Sequence, residues 1–578
     1  MDPEPAGANC PYGGTAIHDG IDRDGDGTIS GDEVIGTQYV CNPATTVLVR
    51  DGALAPSASC PGGGTATFSG IDDNNNGVLE DAEVDTTEPH CSSLDHWTAD
   101  FTAADWSDPV KVGALKAARV VDGTLTLGSG TRGGLPLLEV VQGDLIVPGA
   151  LSDTPLPALR EVTGQLAFGA YASGDAALPS LTAVGALVDD GGLATLKLAA
   201  LTTATADVAI ADRALVALNL PALASVGGAL RVANTEQLAS IELAALDQIG
   251  GDLQLQNSAS LTSVSLPRLR GVGGRVSLAL LAQLAALDLG ELQTVAGDFA
   301  LAFATALPTL ALPTLRSLGT TAGGPASLTI ADSGVQDIAL DALTAAPGGL
   351  SLTADAQLRA ARFPALTGAS SLELRSLPAL EVIAAPLLTS AERLVIIDLP
   401  GLRTLELGSL ARVTTDLALS STSIPDLSGM PALASAGGLV VIGVDALADF
   451  RGLAAVPQVS QLVIGENPAL TSLAGLEAVA QLSVLEIFHN PALTSVAGLG
   501  NLVSAAGSIE ITRNELLRAV ELSHLTTIGG DLAISANPVL SSLSGLSALA
   551  SVAGALAVTD NPALDARELA AFLARFGK

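Results

Sequence analysis

Cysteine stops at Cys91 and is missing from the 487 residues that follow, so whatever holds those residues together is not a disulfide. Aromatic residues make up 3% of the chain against 48% hydrophobic residues, and a core drawn from this composition is built of Ala, Leu, Val and Ile, thin and regular. Basic residues are scarce: 26 Lys and Arg stand against 60 Asp and Glu, for a net charge of −34. That balance excludes nucleic acid and anionic membrane as partners and favours cations. Gly, Pro, Asp or Asn interrupts every apolar stretch before the roughly 18 residues of a membrane span accumulate, which argues against insertion. The start, Met1-Asp2-Pro3-Glu4-Pro5, has neither the basic n-region nor the apolar h-region of a secretion signal and reads as a mature or trimmed form. At 578 residues the chain is too long for one globular core, so several domains or a repeat array is expected.

The four cysteines fall into two pairs. Cys10 and Cys41 are 31 residues apart, as are Cys60 and Cys91, and the second pair is offset from the first by 50 residues. The simplest reading is a tandem module with one disulfide per copy, in an oxidising extracellular or periplasmic setting. In the chain-entropy model, closing a loop of about 30 residues contributes about 3 to 4 kcal/mol to a module too small to stabilise itself. Four free thiols, or a tetrahedral zinc site, are weaker alternatives; no CxxC or close Cys/His pair of zinc spacing is present.

Each module runs into a twelve-residue acidic loop. Asp22-Arg-Asp24-Gly-Asp26-Gly27-Thr28-Ile29-Ser30-Gly-Asp32-Glu33 matches D-x-[DN]-x-[DN]-G-x5-E throughout, and Asp72-Asp-Asn74-Asn-Asn76-Gly77-Val78-Leu79-Glu80-Asp-Ala-Glu83 matches equally well. The spacing suits Ca²⁺, which takes six to eight hard oxygens at about 2.3 to 2.6 Å from alternate residues of a tight loop. The first site is expected to use Asp22, Asp24 and Asp26, the Thr28 carbonyl, Ser30 through water, and Glu33 as the bidentate closer. The second uses Asp72, Asn74, Asn76, the Val78 carbonyl, Glu80 and Glu83. Ile29 and Leu79 should point inward as anchors. The flanks, Gly13–His18 and Gly63–Phe68, read as short strands, not as the helices of an EF-hand. With no helix pair to swing open, two structural calcium ions are expected, not a switch. Residues 1–91 hold 16 Asp and Glu against only Arg23 and Arg50, a density of like charge that calls for counter-ions.

The run Glu4-Pro-Ala-Gly-Ala-Asn-Cys10-Pro-Tyr-Gly-Gly, the acidic loop and the ending Tyr39-Val40-Cys41-Asn42 resemble small cysteine-bearing EF-hand-like repeats near the N-termini of exported proteins of high-GC environmental bacteria. The resemblance covers residues 2–91 and implies an extracellular or cell-surface location and no catalytic activity. The second copy departs from it, ending His90-Cys91-Ser92.

From about residue 100 a phrase recurs in which two Leu/Ile/Val alternate with outward residues, followed by a turn and Leu-x-x-Leu-x-x-x-x-Leu-x-x-Val-Gly-Gly. Gln461-Leu-Val-Ile464-Gly-Glu-Asn467-Pro-Ala-Leu470 and Asp531-Leu-Ala-Ile534-Ser-Ala-Asn537-Pro-Val-Leu540 are clear copies. Strand starts fall from residue 124 to residue 555 with a mean step of about 23, the signature of a solenoid of about twenty turns. Gly-Gly pairs such as Gly227-Gly228, Gly250-Gly251 and Gly529-Gly530 mark corners, and Gly319–Pro325 reads as a loop bulging from one of them. The far side carries Leu-Pro-x-Leu-x-x-Val, as in Leu220–Val226 and Leu266–Val272, which favours extended turns over the helices of a horseshoe. The phrase resembles the receptor L domain and the repeats of fungal GPI-anchored wall proteins over residues 100 to 565, implying a β-helix used for binding or wall architecture. Many copies lack the Asn, with Leu399 and Val444 in its place.

The fold class expected is mainly β: a right-handed, leucine-rich-repeat-like β-helix preceded by two disulfide-bonded calcium-loop modules. The domains are 1–50, 51–92, an N-terminal cap at 93–123, the array at 124–564 and a capping helix at 565–578. Trp97, Phe101 and Trp106 read as a plug under the first turn, with a sugar platform as the alternative. Asp565-Ala-Arg-Glu568 reads as a capping box ahead of an apolar stripe, Leu569, Phe572, Leu573 and Phe576. Outward positions are small and weakly polar; Val395, Val440 and Val463, followed by Glu486 and Glu510, form the most distinctive patch. His489 reads as a surface turn residue, and His489 and His524 have no accompanying Ser/His/Asp set. The expected function is a non-catalytic, calcium-binding exported surface protein, a monomer whose rod serves adhesion, ligand binding or envelope scaffolding toward a protein or glycan. The alternatives are a glycan-binding or glycan-degrading β-helix, for which no carboxylate or aromatic cluster is visible, and a plain stalk.

Overall fold

A computed structural model describes residues 1–42, 47–54, 64–72, 77–91, 96–128, 133–153, 155–319 and 324–577. It divides into two compact units: Met1–Trp97 with Ser107–Arg119, and Thr98–Trp106 with Val120–Lys578.

The first unit contains two three-stranded antiparallel sheets of the same plan. β1 (Asp2–Glu4), β2 (Gly14–Gly20) and β3 (Val34–Cys41) form one; β4 (Val47–Leu54), β5 (Gly64–Ile71) and β6 (Val84–Cys91) form the other. Registers repeat with the 50-residue offset of the sequence: Gly14 pairs with Cys41 as Gly64 does with Cys91, and Gly20 with Val34 as Gly70 does with Val84. Cys10 and Cys41 are disulfide-bonded, as their spacing suggests. Cys60 lies outside the described residues, and the side chain of Cys91 with it. The unit also holds the helix α1 (Pro109–Ala117), N-capped by Asp108, whose Oδ1 accepts the N–H groups of Val110 and Lys111.

The second unit is a parallel β-solenoid. Main-column strands expected to start at 252, 275, 298 and 327 begin at Leu253, Val276, Phe299 and Ser327, and each pairs in register with the next. A second column of two-residue strands precedes it, and a third, such as Ser240–Glu242, Ser263–Ser265 and Ala286–Asp288, occupies the far side in place of helices. One turn buries Leu253, Leu255, Leu261, Val264, Leu266, Leu269 and Val272, each contributing about 1.5 to 3 kcal/mol; the sequence pattern predicts only two or three per turn, because it counts the main strand and not the far side. Between residues 390 and 465 the first two columns fuse into single long strands, among them Ser390–Leu399, Arg412–Thr422 and Ser435–Val444.

The corners work differently from the expectation. The Gly-Gly pairs do precede strands, but they serve close stacking: a Cβ on Gly227 would collide with the Thr205 carbonyl, and one on Gly250 with that of Gly227. The left-handed corner lies after the main strand and is filled mostly by other residues, including Asn234, Asn257, Leu280, Phe303, Glu466, His489 and Arg513, all with φ between 49° and 58°. Most of the loop expected at 319–325 lies outside the described residues.

Despite Leu399 and Val444, an Asn ladder is continuous over the last turns. Asn467, Asn490, Asn514 and Asn537 are buried, and the ladder ends at Asn561. Each side-chain oxygen accepts a main-chain N–H from one turn earlier, from Val444, Asn467, Asn490, Asn514 and Asn537 in order, at 2.9–3.2 Å. Each amide nitrogen donates to a carbonyl of the preceding turn, from Val441 to Ile534.

Both solenoid ends are closed. Phe101 and Trp106 are buried edge to face, 5.2 Å between centroids, and the indole N–H donates to the Thr126 carbonyl at 2.8 Å. Trp97 is half-buried and is counted with the other unit. At the far end, helix α2 (Ala566–Ala574) is capped by Asp565 and fully buries only Phe572; Leu569, Leu573 and Phe576 are half-buried. Glu568 reaches back to Ser542 and Leu543, and Arg575 donates to the carbonyls of Leu546, Ser547 and Leu549, so polar contacts do much of the capping.

Candidate metal centre

The first acidic loop hangs between β2 and β3, and the backbone sets its geometry. A Cβ on Gly20 would strike the Glu33 carbonyl, and one on Gly70 that of Glu83; only glycine lets the loop close this tightly. Gly27 and Gly77, expected to permit the sharp turn, have φ of 83° and 77°. Each loop ends in a single 3₁₀ turn, Gly31–Glu33 and Asp81–Glu83. The turns are closed by reciprocal bonds: in the first the Glu33 N–H donates to the Ser30 carbonyl at 3.1 Å and the Ser30 N–H to Glu33 Oε2 at 3.4 Å, and in the second the Glu83 N–H donates to the Glu80 carbonyl at 3.0 Å and the Glu80 N–H to Glu83 Oε2 at 3.1 Å. This capping box, absent from the sequence reading, fixes the acid at the end of the loop.

In the first loop Asp22, Asp24 and Glu33 converge, with one ligating oxygen from each lying within 4.8 Å of the others. Loop N–H groups orient all three. Gly25 and Gly27 donate to the two oxygens of Asp22, Asp26 to Asp24 Oδ1, and Arg23 and Asp24 to Glu33 Oε1. Asp26 stands outside this group; its Oδ1 accepts both the N–H and the hydroxyl of Thr28, at 2.7 and 2.8 Å. The N–H groups of Gly27 and then Gly25 hold Asp22 below the usual carboxylate range, those of Arg23 and then Ser30 do so for Glu33, and those of Thr28 for Asp26. Ser30 is exposed, and Ile29 is half-buried against Gly20.

In the second loop Asp72 and Glu83 are buried, and Asp72 Oδ2 accepts the Gly77 N–H at 2.8 Å. Leu79 points inward as expected, while Val78 and Glu80 are exposed. Asn74 and Asn76 lie outside the described residues. The donor set of the first loop, three convergent carboxylates in an all-oxygen loop, fits a hard divalent cation.

The solenoid's outer face differs from its sequence reading at one place. Val395 and Val463 are buried, with Val440 half-buried between them. They share a ladder with Glu373, Ala418, Glu486 and Glu510. Side chains about 4.8 Å apart on adjacent strands cover one another, so the expected valine patch is not an apolar surface. A groove of about 790 Å³ crosses the same turns, lined by Gln458, Gln481, Ser504, Thr527 and Ser551, with Arg412 its one charged lining residue. His489 is an exposed corner residue, and His524 Nδ1 sits 2.8 Å from the Gly500 carbonyl. Neither joins a catalytic set among the described residues.

A family model described as a domain of unknown function (DUF7151) matches residues 1–41 and again residues 48–91. No curated protein matches the chain. Among solved structures, a circular leucine-rich-repeat protein, CroV588, is similar at 10% identity with a TM-score of 0.23, covering 79% of this chain and 69% of its own. The solenoid assignment rests on the strand pairing, and what the comparisons add is a family match to each N-terminal module.

Proposed function

We propose that this is a non-catalytic, calcium-binding surface protein, exported to an oxidising compartment, in which two small modules precede a solenoid used for adhesion, ligand binding or envelope scaffolding. The observation that carries the reading is the convergence of Asp22, Asp24 and Glu33 in a loop whose own N–H groups aim them at one point. Asp26, the Thr28 carbonyl and Ser30 complete the first site, and Asp72, Asn74, Asn76, the Val78 carbonyl, Glu80 and Glu83 form the second. Calcium would offset the density of like charge in the modules; the loops sit on antiparallel hairpins with no helix pair to open among the described residues, so the ion's role is structural. The Cys10–Cys41 disulfide supports the compartment. The nearly uncharged groove along the solenoid supports binding of a neutral protein or glycan surface, and no carboxylate pair of the kind glycoside hydrolysis needs lines it.

Calorimetric titration of the full chain with calcium chloride tests this. Two sites with Kd on the order of 10⁻⁴ M or tighter, one of them lost in Glu33→Gln, are expected; absence of binding heat would remove the metal assignment.

A further inference from the structure

One inward position of the solenoid breaks the apolar rule. Phe168, Asp189 and Ile210 pair across three successive turns, and all three are buried, so a carboxylate occupies a core site between a phenyl ring and an isoleucine. Asp189 Oδ1 accepts the Gly191 N–H at 3.3 Å, while Oδ2, also closed off from solvent, has no hydrogen-bond partner. One turn further on, Asp212 is buried as well, and both of its oxygens are occupied: Oδ1 by the Ala214 N–H at 2.8 Å and Oδ2 by the Leu193 N–H. Neither acid has a basic partner among the described ion pairs. The nearby cations are engaged elsewhere, Arg213 with Glu236 and Lys197 with Asp175.

A buried, unpartnered carboxylate oxygen is costly, and the cost rises with a second buried acid nearby. Protonation removes both penalties at once, because the orphan oxygen becomes a donor and one of the two like charges disappears. Asp212, which already accepts two N–H groups, is the better-stabilised anion; Asp189 is the better acid to carry the proton. We propose that the folded protein keeps a proton on Asp189, whose buried and otherwise unpartnered Oδ2 makes it a carboxylic acid, and that this acid is a pH-sensitive latch on the solenoid turns around residues 186–215. The charged groups acting on Asp189 are Asp212 and Asp190, both acidic, while its strand neighbours Phe168 and Ile210 do not titrate. Burial first, and the Asp212 charge second, push Asp189 up to about 7. Burial also raises Asp212, against the opposing N–H bonds of Ala214 and Leu193.

The sign of the effect follows. The native state keeps a proton that the unfolded chain releases near its ordinary carboxylate value, so this contribution is complete below about pH 4 and is lost as pH rises through about 7, at a limiting tenfold in the folding constant per pH unit. A cation in place of the proton would instead stabilise the fold at alkaline pH, and more so as its salt is added.

Urea unfolding of the full chain across this pH range, beside Asp189→Asn, tests the proposal. Asparagine keeps the Oδ1 acceptor and supplies a permanent donor without titrating. The variant's folding constant relative to the natural chain is expected to rise steadily with pH and to level off above about 7. An infrared spectrum near neutral pH, where exposed carboxylates are ionised, should show a protonated-carboxyl band that loses intensity in the variant; in the natural chain this band decides the matter even if the variant does not fold. Parallel pH profiles, absence of the band, or stabilisation by sodium or calcium at alkaline pH that Asp189→Asn abolishes would each overturn the proton on Asp189.

Discussion

The modules and the solenoid solve the same problem with opposite means. Each solenoid turn of about 23 residues buries some seven aliphatic side chains, such as Leu253 through Val272, and hands its open strand edge to the next turn. The first module fully buries only Cys10 and Ala16 among its hydrophobic residues, and the described part of the second only Ala66 and Leu79. A sheet of three strands with so little core is stabilised by the Cys10–Cys41 bond, by its glycine-tight loop and, on the reading given above, by an ion. The solenoid has no cysteine and needs none. Repetition substitutes for covalent chemistry where neighbours are identical, and covalent or ionic ties take over where there is no neighbour to stack on.

That contrast can be broken most strongly at the disulfide. Cys10→Ser with Cys41→Ser should destabilise the first module by about 3 to 4 kcal/mol, enough to expose residues 1–42 to protease. The urea midpoint of the solenoid should stay where it was; a joint shift would mean that the two regions do not stabilise themselves independently. The next largest effect belongs inside the solenoid. Asn514→Leu strips the Asn490 N–H of its acceptor and the Ile487 carbonyl of a donor, and each orphaned buried group costs about 1 to 3 kcal/mol. Urea unfolding should show that loss, while Ser258→Ala, on a turn where serine follows the left-handed corner residue in place of the ladder Asn, should cost about 1 kcal/mol. The smallest effect sharpens the comparison at the loops. Because N–H groups hold Asp22, Asp26 and Glu33 below the usual carboxylate range, calcium binding should persist as pH falls through that range and fade only below it. A calorimetric pH series would show this, and binding that fades near the ordinary carboxylate value would contradict it.

Much of this was legible in the sequence because it is periodic or strictly spaced. The alternation in Asp531–Ile534 places a strand, and the spacing of Asp22, Asp24 and Glu33 places three acids on one loop. What escaped has no local signature. Leu280 and Phe303 give no hint of a left-handed corner; they adopt it because the turns before and after impose it. Val395 alternates as an outward residue should, yet its ladder neighbours bury it. The sequence pattern does not rank Asp189 above any other aspartate, because its burial depends on pairing with residues about 21 positions away on either side. Asp26 meets the loop motif but turns onto Thr28, a choice made by the backbone.

The measurement that bears most directly on the contrast between the two regions is hydrogen–deuterium exchange on the full chain with and without calcium. Slowed exchange confined to the two loops and their flanking strands, within residues 14–41 and 64–91, against an unchanged solenoid is the expected result. Equal exchange in both conditions throughout the modules, or protection spread along the solenoid, would contradict it.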